Sequence, residues 1–305
     1  MADITAAMVK ELRELTGAGM MDCKKALGET NGDMDAAVDF LKKSGAAKAE
    51  KKASRIAAEG ITRVAMEDNK KAVVVEVNSE TDFVAKNEVF QEFVQSVADK
   101  ALASGLAGGK NGEDVEALLD KEGIRDDVVE KTAKIGEKLS VRRFERVEGD
   151  CVVSYLHGGG RIGVLVSAKC ANVTDAVKEA LQNIAMQVAA LSPKFISQKD
   201  VDQEFLAKEK EIILAQIEND PKEAAKPDKV KEGMVMGRIN KEMKEFCLLD
   251  QVYVKAEDGK QSVAKYLESV DKDLVIDKFV RFEVGEGMEK KNEDFAAEVA
   301  AQMNA

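Results

Sequence analysis

A strand–turn–strand–loop–helix order occurs twice along the chain and constrains the fold more than any other feature of the sequence. In the first copy, alternating residues at 61–66 precede a turn and an almost continuous apolar run, Ala72–Val77. A loop follows, and then an apolar stripe at helical spacing over residues 88–103. The same order recurs over residues 152–191, with a glycine turn between its strands. Since short turns join antiparallel neighbours, the sequence predicts an α+β protein with a duplicated core of antiparallel strands and helices.

Three short helices are predicted ahead of this core. Thr5 and Asp33 are residue types that favour the N-cap position, and the glycines of Gly17–Gly19 stop the first helix. Ser44–Gly45 are predicted to end the third helix, and the lysine-rich residues 47–55 to form a solvated linker helix. A bundle of this size buries a small core, which is typical of a compact binding module.

Between residues 200 and 246 the pattern changes to two helices with coiled-coil-like apolar spacing, interrupted around Pro221–Pro227. This spacing predicts an antiparallel helical hairpin. Strand-like sequence returns at 251–254 and 275–284, so the hairpin is predicted to be inserted in the second unit, and an amphipathic helix is predicted at 292–303. The predicted divisions are an N-terminal helical domain with linker (1–55), a first core half (56–140), a second core half (141–199 and 247–287), the hairpin (200–246) and a C-terminal helical module (288–305).

The charge balance argues against general nucleic-acid binding. The chain has 46 Lys and Arg residues and 57 Asp and Glu residues, which give a formal net charge of −11. Nucleic-acid binding depends on neutralising phosphates, so no direct nucleic-acid contact is expected. The short basic stretch Lys48–Arg55 leaves this class open as an alternative, which an RNA-retention assay would test. No apolar run is long enough to cross a bilayer, and we expect no membrane contact and a cytoplasmic location.

No residue pattern marks covalent chemistry. Cys23, Cys151, Cys170 and Cys247 form no CxxC or Cys/His cluster, so neither a metal site nor a cofactor is expected. The single histidine, His157, has no carboxylate or cysteine linked to it by a motif. A thiol or hydrolytic enzyme that uses Cys23 or His157 is the second alternative, and reductase and esterase assays would test it.

A glycine-rich segment fits a nucleotide-binding motif only in its letters. Gly158–Gly163 satisfies GxGxxG, but Val164–Val166 continue as a strand, whereas that motif needs a helix to receive the pyrophosphate. A hairpin turn is the better interpretation. The sequence also lacks a GxxxxGK[ST] loop, so we predict that the chain has no nucleotide site of its own.

The loop Ser79–Asn87, SETDFVAKN, places Asp82 beside Phe83. On the residues alone, Phe83 closes a hydrophobic staple onto the helix that begins at Glu88, and Asp82 is solvated. The alternative is that the loop presents Phe83 to a partner. Physical reasoning by itself favours the staple.

Long segments spread along the chain resemble one known family. LRELTGAGMMDCKKAL (Leu12–Leu27) and EVNSETDFVAKN (Glu76–Asn87) are similar to the two signature segments of bacterial elongation factor Ts. AKIGEKL, HGGGRIGVLVSAK and FVRFEVGEGMEKKNEDFAAEVAAQ resemble the same family. The resemblance covers essentially the whole chain and reverses the preference for the staple.

The resemblance implies a fold with a ubiquitin-associated-like N-terminal three-helix bundle, two related core halves, an inserted hairpin and a C-terminal helix. It implies a guanine nucleotide exchange factor that does no covalent chemistry and promotes GDP release from a GTPase, elongation factor Tu. Both the GDP-bound and the nucleotide-free GTPase are expected as partners. Two copies of each protein could assemble, or the chain could self-associate through the hairpin.

The site residues follow from the same resemblance. Thr81, Asp82, Phe83 and Val84 match the segment that family members insert near the magnesium site of the GTPase, so we expect this segment to dislocate the ion. The other partner contacts that the resemblance implies are Leu12, Met20, Met21, Lys24, Ile135, Gly136, His157 and Phe295.

Overall fold

The computed structural model describes residues 4–121 and 123–289. These residues form a mixture of helices and antiparallel sheet, so the predicted α+β class is confirmed. The described helices are α1 (Ala6–Thr16), α2 (Met20–Glu29), α3 (Met34–Glu50), α4 (Asp82–Ala85), α5 (Glu88–Ser104), α6 (Val115–Leu119), α7 (Ile124–Ile135), α8 (Asp175–Leu191), α9 (Gln203–Asn219), α10 (Pro221–Ala224), α11 (Asp228–Phe246) and α12 (Val263–Val270). The described strands are β1 (Glu59–Glu67), β2 (Lys71–Ser79), β3 (Gly108–Gly109), β4 (Ser140–Glu148), β5 (Cys151–His157), β6 (Ile162–Lys169) and β7 (Val275–Glu283).

The strands form two sheets that pack face to face. The first has the order β1-β2-β4-β3 and the second the order β5-β6-β7. Helix α5 packs on the outer face of the first sheet, and α8 packs on the outer face of the second. The core therefore has four layers, helix–sheet–sheet–helix. The two inner faces share an apolar cluster formed by Ala72, Val74, Val147, Val152, Leu165, Val280 and Phe282.

The glycine turn between β5 and β6 docks the second sheet onto the first. His157 pairs with Ile162 across the turn, as the hairpin interpretation predicts. The carbonyl of Gly160 accepts hydrogen bonds from the Thr62 amide at 2.7 Å and from the Thr62 hydroxyl at 2.8 Å. A Cβ atom at Gly163 would lie 2.7 Å from the Thr62 hydroxyl oxygen, closer than packed atoms approach. Glycine at this position lets the two sheets meet.

Strand β2 is buried on both faces because it lies between α5 and the second sheet. Its odd-numbered residues face α5, and Ala72 and Val74 face the second sheet. Glu76 lies on the second face and is fully buried.

Two arginines of β4 neutralise the buried Glu76 carboxylate. It accepts hydrogen bonds from Arg142 Nη1 at 2.9 Å, from Arg143 Nε at 2.6 Å and from the Gly285 amide at 2.9 Å. Loss of either arginine would leave part of a buried charge uncompensated, which is strongly destabilising.

The structure corrects the predicted end of the third helix. Helix α3 continues past Ser44–Gly45 to Glu50, so the first part of the linker belongs to the same helix. Gly45 lies against α7, where a Cβ atom would stand 3.5 Å from the Ala133 methyl carbon. Packing of α3 on α7 supports the helix through a residue that usually weakens one.

Two predictions in the second core half also change. The predicted division at residue 140 falls at the start of β4, a strand that pairs with β2 and so belongs to the first sheet. Residues 251–254 were predicted to be a strand, but they have only one isolated bridge, from Val252 to Ser262. Two backbone groups of this segment instead form hydrogen bonds with the Gln187 side chain, which donates to the Val252 carbonyl and accepts from the Val254 amide.

Between residues 203 and 246 the chain forms α9 and α11, which are connected through α10 and pack against each other. An apolar cluster lies between the two helices, and the buried residues that α9 and α11 contribute to it are Ile213, Ile217, Ile239 and Met243. Within residues 4–121 and 123–289, no helix combines the length and apolarity needed to span a membrane. The predicted helix 292–303 lies outside the described residues.

Candidate functional site

The segment between β2 and α5 contains one helical turn, α4, where the sequence predicted only a loop. The Thr81 hydroxyl caps this turn by accepting the Val84 amide at 3.4 Å. Asn87 then caps α5, since its side-chain oxygen accepts from the amides of Val89 and Phe90. Four residues are too few to show a helical period, but two capping residues six positions apart were a signal that the chain turns twice.

Phe83 projects from α4 into solvent with 79% of its surface exposed. Successive helical residues point about 100° apart, so the neighbouring Val84 faces inward and packs on the first-half core. The structure therefore contradicts the hydrophobic staple, and Val84 has the packing role that the staple gave to Phe83. A large exposed aromatic ring on a short capped turn is available to a partner.

Asp82 forms an ion pair with Lys86, one turn further on. The Lys86 ammonium lies 2.7 Å from the carboxylate and 5.9 Å from the centre of the Phe83 ring. The hydrogen bond from Lys86 lowers the pKa of Asp82 below its ordinary value. Because both side chains are largely exposed, this pair contributes little to folding stability and can be exchanged for contacts with a partner.

Two glutamates hold the base of this segment. Glu137 Oε2 accepts from the amides of Glu80 at 3.1 Å and Thr81 at 3.0 Å, and Glu137 Oε1 accepts from the Thr81 hydroxyl at 2.7 Å. Glu80 Oε1 accepts from the Lys138 amide at 2.6 Å and also faces Arg55 at 3.3 Å. Sequence reasoning missed Glu137, although it follows two predicted contact residues in the AKIGEKL segment.

The end of α7 lies beside both this segment and the N-terminal bundle. Gly136 ends the helix in the left-handed conformation, with φ of 89°, and its carbonyl accepts from Lys52. Ile135 is half-buried against the first-half core, and Gly136 is exposed. The structure thus brings the predicted residues Ile135 and Gly136 close to Thr81 through Glu137.

The predicted contacts of the N-terminal bundle divide into surface and core. Met20 and Met21, at the start of α2, are 59% and 75% exposed, and Lys24 is exposed one turn later. Leu12 is fully buried in the bundle core, so its side chain presents no surface to a partner in this structure. Leu12 lies on the apolar face of α1 together with Val9, which is consistent with a position in the core.

His157 ends β5 in the second sheet. Its Nδ1 lies 3.1 Å from the Tyr155 hydroxyl, and the ring is exposed. The glycine turn beside it holds this edge of the second sheet against β1. Phe295, the remaining predicted contact, lies outside the described residues.

The cysteines disfavour the thiol-enzyme alternative. Cys23, Cys151 and Cys247 are buried and Cys170 is half-buried. Burial raises the pKa of all four thiols, and that of Cys247 to about 11. Thiols with raised pKa values stay protonated at neutral pH and are poor nucleophiles.

Comparison with known proteins gives one consistent result. A family model described as elongation factor TS matches residues 80–286, which include α4 and Glu137. Elongation factor Ts of Clostridium perfringens is 53% identical over 97% of this chain and 98% of the relative. Those of Clostridioides difficile and Clostridium botulinum are 50% and 46% identical, over 99% of this chain and 100% and 99% of the relatives. The chain belongs to the elongation factor Ts family.

Proposed function

We propose that this chain is the guanine nucleotide exchange factor of elongation factor Tu and promotes GDP release during polypeptide elongation. The observation that carries the proposal is the exposed Phe83 ring on the capped turn α4, within a segment that matches the family signature. The chain does no covalent chemistry in this function. It changes the rate at which its partner loses nucleotide and leaves the partner's two nucleotide-bound states unchanged.

The proposed mechanism acts on the partner's magnesium ion. Mg²⁺ bridges the phosphates of bound nucleotide and is held by a few protein oxygens and waters. Phe83 wedges between elements of the partner and moves these ligands, and Asp82 leaves Lys86 to hold the displaced elements by hydrogen bonds or charge. Without the ion, the phosphate charge is less neutralised and GDP leaves faster. The coupling between factor and nucleotide is reciprocal, so incoming GTP drives the factor off.

Docking is proposed to use surfaces on both sides of α4. Exposed Met20, Met21 and Lys24 offer two apolar side chains and a cation on the N-terminal bundle. Ile135 and Gly136 continue this surface at the end of α7, and His157 adds a contact on the second sheet. Phe295 would extend it beyond the described residues. Assembly of two copies of each protein, or self-association through the hairpin, is a further proposal.

The test is stopped-flow release of a fluorescent GDP analogue from elongation factor Tu at saturating factor. Phe83→Ala should slow release roughly 5- to 150-fold, the usual range of coupling free energies, and leave the melting temperature unchanged. Val173→Ala is the matched control, because Val173 is an exposed apolar residue in the equivalent connection of the second core half. With EDTA present, the partner already lacks its ion, so parent and Phe83→Ala rates should converge.

Equal release rates for parent and Phe83→Ala in Mg²⁺ would eliminate this mechanism. A rate loss that persists undiminished in EDTA would show that Phe83 acts on the nucleotide by a route other than the ion.

A further inference from the structure

Few interactions within the helical turn α4 fix the orientation of Phe83. Helix α4 has four residues, fewer than an isolated helix needs for stability. Phe83 itself is exposed, so it adds almost no packing, and the hydroxyl cap from Thr81 is long at 3.4 Å. Val84 and Ala85 pack on the core, and the Ala85 carbonyl accepts from Gln91 Nε2 at 3.2 Å, so these contacts hold the end of the turn and not its start. The direction of Phe83 therefore depends on what holds the start of α4.

We infer that Glu137 is a positioning residue for nucleotide exchange and fixes the start of α4 so that Phe83 stays directed away from the core. The inference rests on the proposed function and deepens it. Glu137 comes from the other end of the first half, 56 residues from Thr81 in sequence. Its one carboxylate holds two consecutive amides and a hydroxyl, and hydrogen bonds to an ionised acceptor are about twice as strong as neutral ones.

A second contact keeps this region folded when Glu137 is altered. Glu80 binds the Lys138 amide, and the Lys138 ammonium donates to the Arg55 carbonyl at 2.9 Å. The backbone after α7 and the backbone before α4 are thus joined twice, once through each glutamate. Loss of the Glu137 side chain removes the bonds to the amides of Glu80 and Thr81 and to the Thr81 hydroxyl. The bond from the Ser79 hydroxyl to the Thr81 carbonyl and the bond between Glu80 and the Lys138 amide remain and hold the two segments. We expect α4 to loosen without unfolding of the half.

Three variants test the inference in the stopped-flow release assay. Glu137→Ala removes all three hydrogen bonds and should lower the saturated release rate roughly tenfold, less than the loss of about 100-fold that a misplacement of about 1 Å can cause. Glu137→Gln keeps an amide oxygen for the backbone and an NH₂ group for the Thr81 hydroxyl, so it should lower the rate only about twofold. Glu130→Gln is the control, because it makes the same charge change on the exposed side of α7. The factor concentration at half-saturation should change less than the rate.

Two further measurements separate positioning from a general structural role. Hydrogen exchange of the Glu80 and Thr81 amides should speed up in Glu137→Ala and only slightly in Glu137→Gln, while the melting temperature stays near that of the parent. In a Phe83→Ala background, Glu137→Ala should slow release by less than about twofold, because Glu137 acts through Phe83.

The outcomes distinguish this inference from the proposed function. Parent-like release by Glu137→Ala together with slow release by Phe83→Ala overturns the inference alone. Parent-like release by both variants overturns the proposed function. If the rate reductions of Glu137→Ala and Phe83→Ala multiply in the double variant, Glu137 does not act through Phe83. The same conclusion follows if the release rate of Glu137→Ala falls only in proportion to the unfolded fraction.

Discussion

The two core halves share a scaffold and differ most in the connection between the second strand of each hairpin and the following helix. In both halves a capped helix, α5 or α8, covers the outer face of a sheet. In the first half the connection contains α4 and presents Phe83 with 79% of its surface exposed. In the second half, residues 170–174 connect directly to α8 without a helical turn. Helix–sheet packing maintains the scaffold, which leaves the connection free to specialise.

The second half is specialised elsewhere. It contains the inserted hairpin, with its own apolar cluster, and the glycine turn that contacts β1. Each half therefore has its own additions outside a common helix–sheet arrangement. If this comparison is correct, core substitutions at equivalent places should destabilise the two halves to a similar extent, and substitutions in the additions should not.

The largest expected effects are on the shared scaffold. Phe90 in α5 and Leu181 in α8 are both fully buried under a sheet. Phe90→Ala should lower the free energy of unfolding by about 3–5 kcal/mol and Leu181→Ala by about 2–5 kcal/mol. Denaturant unfolding monitored by circular dichroism measures both, with Phe83→Ala and Val173→Ala as exposed controls that should change stability by less than about 0.5 kcal/mol. If only one of the two substitutions lowered the free energy of unfolding by this amount, the two halves would not share an equivalent scaffold.

The next largest effect is expected at the contact between the two sheets. In Gly163→Ala, the new methyl group would lie 2.7 Å from the Thr62 hydroxyl oxygen and 2.9 Å from Val74 Cγ2. Overpacking of this kind should destabilise the protein by roughly 1–3 kcal/mol. Gly233→Ala in α11 is the contrast, because nothing lies within 4 Å of its added atom, and it should stabilise the hairpin by roughly 0.5–1 kcal/mol. Parent-like stability of Gly163→Ala would mean that the sheets are not held this closely in solution.

A smaller effect is expected from removing most of the hairpin. Replacing residues 208–242 with a short Gly/Ser linker keeps Phe205 and Phe246 packed together at the hairpin base. Since the hairpin has a separate apolar cluster, the core should stay folded and the saturated release rate should remain within about threefold of the parent rate. Sedimentation of both proteins should show any self-association lost on replacement. A folded but inactive product would assign the release step to the hairpin.

The smallest expected effect concerns the Asp82–Lys86 pair. Because Lys86 lowers the pKa of Asp82, the stabilisation from this pair is present above the ordinary carboxyl range and is lost as pH falls through the lowered pKa. In an NMR titration, Lys86→Gln should return the Asp82 pKa toward its ordinary value, while Lys178→Gln on α8 should leave it unchanged. An Asp82 pKa that is the same in parent and Lys86→Gln would remove Lys86 as the cause.

The spacing of apolar residues predicted the helices and strands that bury one regular face. It failed where a contact with a residue distant in sequence determines the local structure. The apolar stripes of α5, α8 and the hairpin were sufficient to predict them. Helix α3 continues through Gly45, where α7 packs against it. Residues 251–254 have strand-like composition, but the side chain of Gln187 takes the hydrogen bonds of the Val252 carbonyl and the Val254 amide.

The candidate site could be predicted only in part for the same reason. The signature resemblance led to Phe83, although local chemistry favoured a buried staple. Exposure of that ring follows from Thr81 capping a turn in which Val84 takes the inward position. Glu137 could not be linked to Thr81 from sequence, because their contact depends on how the chain returns after α7.

The buried Glu76 affects the register in which β2 pairs with its neighbouring strands. A strand with apolar residues on both faces gives little penalty for slipping by one position, since the slipped strand still buries hydrophobic side chains. Glu76 removes this ambiguity, because a slip would turn its carboxylate away from Arg143 and the Gly285 amide and toward the apolar layer under α5. One buried charge thus selects a single alignment for the strand that precedes α4, and with it the point at which the chain leaves the sheet.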